Sequence, residues 1–191
     1  MSVLRRFAIA AASLIALAVP AQAQNYPERV VRIINPFPPG GSVDITSRMM
    51  AQKLTENVGG QFIVENRSGA GGNTGADAVA KSDPDGYTLL FTAPGPLVTN
   101  PTLFTKGLPF DPKRDFVPIA LFARTPIVLM VHPSVPANNV KELIELAKKQ
   151  PGKIHFASQG VGSTAHLSGE LFKTMAKIEI THVPYRGAGP A

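Results

Sequence analysis

The sequence predicts an α/β fold made of two successive doubly wound units, each with its own parallel sheet. Three observations predict it. Short apolar runs alternate with helical patterns along most of the chain, as parallel strands with helical crossovers require. Two of these runs pass directly into glycine-rich turns and then into helices: Pro36-Phe37-Pro38-Pro39-Gly40-Gly41-Ser42-Val43-Asp44 and Ser158-Gln159-Gly160-Val161-Gly162-Ser163-Thr164. The 191 residues contain no cysteine, so packed cores and not disulfides must hold the units together.

The elements follow in order. Residues 1–23 read as a signal peptide. Arg5 and Arg6 supply the charge, residues 7–19 are apolar but short for a bilayer, and Ala21-Gln22-Ala23 fits a cleavage site. No later run is long and apolar enough to span a membrane, and a lipoprotein anchor would need a cysteine, so a free periplasmic protein is expected. Residues 30–35 form a core strand and residues 43–57 a helix, stopped by Val58-Gly59-Gly60. Asp44 lies in the first helical turn, where a carboxylate suits the dipole. Residues 62–64 are a second strand. Residues 73–81 are a helix whose glycine-rich start lets it pack closely on the sheet. Asp83-Pro84-Asp85-Gly86 is a turn and residues 87–92 a third strand. Ala93 follows at its carboxyl end, where open α/β sheets place ligands.

Residues 97–110 read as irregular and residues 126–131 as a further apolar strand. A crossover near residues 122–125 divides a first unit, 24–122, from a partial second unit, 123–191. The second unit repeats the design: a helix at 140–149 ended by Pro151-Gly152, a strand at 154–157, the second glycine turn, a helix at 165–176 and a strand at 178–183.

The two glycine turns carry the chemistry. Without a Cβ, backbone N–H groups approach a guest closely, and the following helix adds unpaired donors and partial positive charge. Such a turn cradles a carboxylate with no charged side chain. In the second turn, Ser163 or Thr164 can cap the helix or face the guest, and both roles stay open.

Other chemistries find no support. The net charge of +6 is scattered, with no basic stripe to suggest nucleic acid. The run Gly69-Ala70-Gly71-Gly72-Asn73-Thr74 imitates a dinucleotide fingerprint, but the third glycine would fall at Thr74. Ser163 lacks the flanks of a nucleophile elbow, and a phosphate-loop lysine is missing. His132, His155, His166 and His182 show no metal-ligand spacing. Neither an enzyme, a cofactor nor a metal is expected.

Two cradles on two successive units suggest a two-lobed binder. The chain resembles the substrate-binding proteins of tripartite tricarboxylate transporters, the Bug family. The resemblance rests on Tyr26-Pro27-Glu28-Arg29, residues 36–44, Glu65-Asn66-Arg67 with its glycine run, Asp83-Pro84-Asp85-Gly86-Tyr87, Asn100-Pro101, Asp115-Phe116-Val117-Pro118 and Tyr185-Arg186-Gly187. It implies a periplasmic-binding-protein-like Venus flytrap that holds a small carboxylate between its lobes and delivers it to membrane permease subunits. It also implies that Phe37, Gly40, Gly41, Ser42 and Asp44 form one jaw, that Ser158, Gly162, Ser163 and Thr164 form the other, and that Ala93 and Tyr185 line the cleft wall. A receptor signalling to a sensor kinase is the alternative use. Family members continue well beyond the point matching Ala191, which implies a C-terminally truncated second lobe. The full-length protein is expected to be a monomer, and this chain to bind weakly or not at all.

Overall fold

The computed structural model describes residues 25–104 and 107–191. The expected signal peptide lies outside the described residues. Among those residues no helix is long and apolar enough to cross a membrane.

The first sheet is parallel, with strands β1 (Val31–Asn35), β2 (Phe62–Asn66) and β3 (Thr88–Leu90) in the order β2-β1-β3. Val31 pairs with Phe62 and Asn35 with Asn66 on one side, and Arg32 pairs with Thr88 on the other. Being central, β1 is the most apolar strand, and Val31, Ile33 and Ile34 are buried. Helices α1 (Ser42–Val58) and α2 (Asn73–Ala80) make the two crossovers. The chain steps to one side of β1 and then back across it. Right-handed crossovers therefore put α1 and α2 on opposite faces and make the carboxyl end of β1 the switch point of the sheet. Ala51 of α1, with Met50 and Leu54, closes the core over Val31, Ile33 and Phe62.

After β3 the chain makes a π-helical turn, Gly95–Thr99, and a short helix α3, Asn100–Leu103. The sequence predicts an irregular segment here. The turn forms because Asn100-Pro101 starts a helix well, proline being tolerated where no N–H partner is needed.

The second sheet pairs β4 (His155–Ser158) and β5 (Thr181–Pro184) in parallel, with His155 opposite Thr181. Helix α4 (Val140–Lys149) precedes β4, and α5 (Thr164–Ala176) joins the strands. Ala147, Ile178 and Ile180 form its small core. Asn139 caps α4 by accepting the Glu142 N–H at 3.0 Å, and the Glu142 carboxylate reaches back to the Asn138 N–H at 2.7 Å.

One expected strand does not form. Residues 126–131 form no helix and pair with no strand, with Met130 83% and Val128 68% exposed. Apolar β-formers make a strand only with a hydrogen-bonding neighbour, and none runs beside this stretch among the described residues.

Helix α2 meets the sheet through Gly75, as its glycine-rich start suggests. A Cβ there would stand 2.7 Å from Pro36 Cβ and 2.8 Å from both Pro36 Cα and the Arg67 carbonyl oxygen. Those atoms belong to the backbone and a proline ring and cannot swing aside. Replacing Gly75 by alanine should therefore destabilise the protein by about 1–3 kcal/mol. The same change in a free helix gains about 1 kcal/mol. Urea denaturation of Gly75→Ala separates the two, and a gain in stability would refute the close-packing account.

Candidate functional site

The first jaw leaves the switch point at the end of β1. Asn35 is fully buried, and its Oδ1 accepts the Phe37 N–H at 3.0 Å. Asp44, 4% exposed, lies beneath the turn. Its carboxylate accepts hydrogen bonds from the Gly40 N–H at 3.0 Å, from Asn66 Nδ2 at 2.8 Å, and from Arg48 Nε and Nη2 at 3.1 and 3.0 Å. Asn66 Nδ2 also donates to the Phe37 carbonyl at 3.0 Å, and Arg48 Nη2 to Asn66 Oδ1 at 2.8 Å. Burial pushes the Asp44 carboxyl up. The hydrogen bonds from Arg48, Gly40 and Asn66 and the Arg48 charge outweigh burial and hold it well below the ordinary aspartate range.

This arrangement reassigns two expected contacts. Asp44 points into the protein and has its acceptors engaged, and the Gly40 N–H is spent on it. Both hold the turn. What the turn presents is the start of α1. Gly41 is the N-cap and no side chain caps the helix, so the first-turn N–H groups are left for an outside acceptor. Gly41, Ser42 and Val43 line a cleft together with Phe37 and Pro38.

The second jaw is built differently. Ser158 is buried, with its Oγ 2.6 Å from His182 Nε2 and accepting the Gly160 N–H at 3.1 Å. The Gly162 N–H donates to His166 Nδ1 at 3.2 Å, and Ser163 Oγ caps α5 by accepting the His166 N–H at 3.2 Å. Thr164 is the first residue of α5. The polar groups of Ser158, Gly162 and Ser163, expected to meet a guest, are thus engaged within the turn. Ala93 and Tyr185 lie outside the cleft lining; the Tyr185 N–H donates to the Ser158 carbonyl at 3.0 Å.

Three residues outside the expected set form the facing wall: Gln159, Gly187 and Ala188. Gln159 is the only side chain in its turn with a free-swinging amide, and Gly187 lies in the Tyr-Arg-Gly motif, so both carried a signal. Ala188 Cβ lies 3.8 Å from where a Cβ on Gly41 would be. Gly187 packs on the Pro38 ring. A second bridge joins the halves where Thr99 Oγ1 donates to the Gly162 carbonyl at 2.8 Å. The buried Asn100 beside it donates to Asn73 Oδ1 at 2.6 Å and ties the bridge to α2. The enclosed space is about 10 Å³, room for roughly one water. A larger guest requires the walls to part.

The family model described as "Tripartite tricarboxylate transporter family receptor" matches residues 46–191. The chain belongs to this receptor family. Protein BugT of Bordetella pertussis is 40% identical over 176 residues, covering 92% of this chain and 54% of BugT. Among solved structures, R. palustris Rpa4515 with adipate superposes with a TM-score of 0.84 at 42% identity, covering 86% of this chain and 55% of that one. MatC from Rhodopseudomonas palustris with bound malate gives 0.80 at 32% identity, covering 86% and 56%. The fold is therefore the α/β periplasmic-binding-protein fold, and the chain spans about half the length of the curated relatives it matches.

The Asp44 network makes a pH-dependent prediction. A depressed carboxyl stabilises the fold above its unfolded value near 3.8 and loses that contribution as the pH falls below it. Asp44→Asn should cost about 2 kcal/mol at neutral pH, the low side of a charged, buried set because Arg48 is half exposed. Urea denaturation should show the difference between wild type and variant shrinking as acid is added. A difference independent of pH would remove Asp44 from the account.

Proposed function

We propose that the protein is an extracytoplasmic receptor that captures a small carboxylate in the cleft between its two glycine turns and passes it, unchanged, to the permease of a tripartite tricarboxylate-type transporter. One observation carries this reading: the uncapped start of α1 opens into a cleft walled on the far side by the second unit. Its N–H donors and dipole match an anionic oxygen, and no cation side chain lines the cleft, so a carboxylate is held by backbone and by Gln159 and not by an ion pair. The adipate and malate bound in two neighbours support a carboxylate as the class of guest. The export-like first 23 residues and the periplasmic neighbours support a periplasmic location.

Asp44, Asn35, Arg48 and Asn66 are the residues that position the donors, and Gly41, Ser42 and Val43 the residues that present them. The lobes have to open before a dicarboxylate enters, because the closed cleft holds only about one water. Because the chain spans about half its relatives' length, its affinity is expected to be weak, and a method that reads weak binding is the right test.

Adipate titrated into the chain should shift the amide resonances of Gly41, Ser42 and Val43 before others. Gly41→Leu should abolish those shifts by filling the cleft. Gly41→Ala should keep them, since a Cβ there meets only Ala188 Cβ at 3.8 Å and the Pro38 carbonyl at 3.9 Å. Unaltered shifts in Gly41→Leu would place the guest elsewhere.

A further inference from the structure

Behind the second turn, two imidazoles are stacked. The rings of His166, at the start of α5, and His182, in β5, lie 4.1 Å apart between centroids at 26°. Phe156 also stacks on His182, at 4.9 Å and 28°. Each ring holds one end of the turn: His166 Nδ1 accepts the Gly162 N–H at 3.2 Å, and His182 Nε2 meets Ser158 Oγ at 2.6 Å. Gln159, the side chain the second unit offers to the cleft, lies between these two anchors. The Gly162 carbonyl also receives the bridge from Thr99 at 2.8 Å.

Accepting the Gly162 N–H fixes the protonation of His166. A ring nitrogen accepts only with its lone pair free, so Nδ1 is bare and the proton sits on Nε2. An imidazolium has no bare nitrogen, and protonating His166 turns the Gly162 contact from donor–acceptor into donor–donor. Protonating His182 as well sets two like charges on stacked rings 4.1 Å apart between centroids. The charged groups around the pair do not relieve this. From α5 come Glu170 and Lys173, paired to each other at 2.8 Å. From β4 come Phe156 and Ser158, and across the cleft Thr99 and Asn100, none of them charged.

We propose that His166 and His182 are positioning residues that hold the second wall of the cleft, and that protonating His166 releases the Gly162 end of that wall, so that carboxylate capture weakens as the pH falls. The link to capture rests on the receptor reading above; the holding of the wall does not. Burial and the neighbouring His166 act in the same direction, pushing His182 below the ordinary histidine value, with Lys173 adding to this and Glu170 opposing it. The sign follows. A group held neutral in the folded wall contributes fully above the ordinary value of 6.5, and the contribution drains away as the pH falls below it.

The test reads the Gly162 amide in the ligand-free chain by hydrogen exchange, corrected for intrinsic rates, from about pH 8 to about pH 5. Its protection should fall about tenfold across that range. His166→Asn keeps an acceptor at the position of Nδ1 without titrating, and its Gly162 protection should be retained and flat with pH. His166→Leu should lose protection at every pH. A wild-type profile that is flat, or a His166→Asn profile that still falls with the wild-type midpoint, overturns the proposal. A second arm follows adipate-induced shifts of Gly41 over the same range. They should need more adipate at low pH in wild type and not in His166→Asn/His182→Gln. Equal adipate demand at both ends in wild type overturns the link to capture. If adipate shifts nothing at any pH, the receptor reading fails and the link to capture with it, while the exchange arm still decides whether the rings hold the wall.

Discussion

The structure depends on a carboxylate that points inward. Asp44 gathers the Gly40 N–H, the Asn66 amide and the Arg48 guanidinium into one buried set, and Asn35 fixes the Phe37 N–H beside it. Those contacts come from β1, from β2 and from the first two turns of α1. They lock together the three elements that meet at the switch point of the sheet. The chain leaves β1, turns through three prolines and two glycines, and enters α1 without a side-chain cap because its N-cap, Gly41, has no side chain. An uncapped helix start costs stability, since its N–H groups go without intramolecular partners. The Asp44 set offsets that cost and keeps the donors aimed at the cleft.

The two turns look alike in sequence and behave oppositely in structure. Both follow a parallel strand, both are rich in glycine and both precede a helix. The first leaves its helix donors free; the second satisfies its own through Ser163 and His166. The difference lies at the N-cap: Gly41 in the first turn has no side chain, whereas Ser163 in the second accepts the His166 N–H at 3.2 Å. In both turns the third helical residue folds back onto the turn, Asp44 onto the Gly40 N–H and His166 onto the Gly162 N–H. In the proposed receptor a guest with negative oxygens would therefore be bound mainly from one side, with the opposite wall contributing shape and the Gln159 amide.

This explains which parts were legible in the sequence. Strand and helix placement is local: periodicity, glycine and proline punctuation and capping residues are all within a few positions of what they determine, and α4 falls on the expected residues 140–149. The expected residues of the first turn sit together at the end of β1, because a glycine turn at a strand end is itself a local signal. Their division of labour is not local. Asn66 lies 22 residues from Asp44, and only the pairing of β2 beside β1 brings it under the turn. Nothing near Asp44 in sequence distinguishes a carboxylate that favours a helix dipole from one that anchors a loop. His182 lies 24 residues from Ser158, and a lone histidine on a short strand carries no sign of the ring that stacks on it. Residues 126–131 failed for the same reason in reverse: their β-forming side chains are a local property, but a strand is a relation with a neighbour.

The contacts across the cleft are close, and glycines make most of them. The Thr99 bridge reaches the Gly162 carbonyl, Gly162 packs against Asn100 and Leu103, Gly71 against the Val161 carbonyl, Gly187 on Pro38, and Ala188 lies near Gly41. A single neutral hydrogen bond is worth about 1 kcal/mol net, and contacts made by glycines bury little area. Opening would therefore cost little relative to what a carboxylate would gain from several aligned N–H groups at a helix start. A Cβ on Gly187 would crowd the Pro38 ring at 3.0 Å, whereas one on Gly41 would meet only ordinary contacts at 3.8 Å. The side that opens also matters. The first turn is braced by a buried ionic set and cannot yield cheaply. The second rests on two imidazoles and one hydroxyl bridge, and it is the wall that can move without loosening the donors.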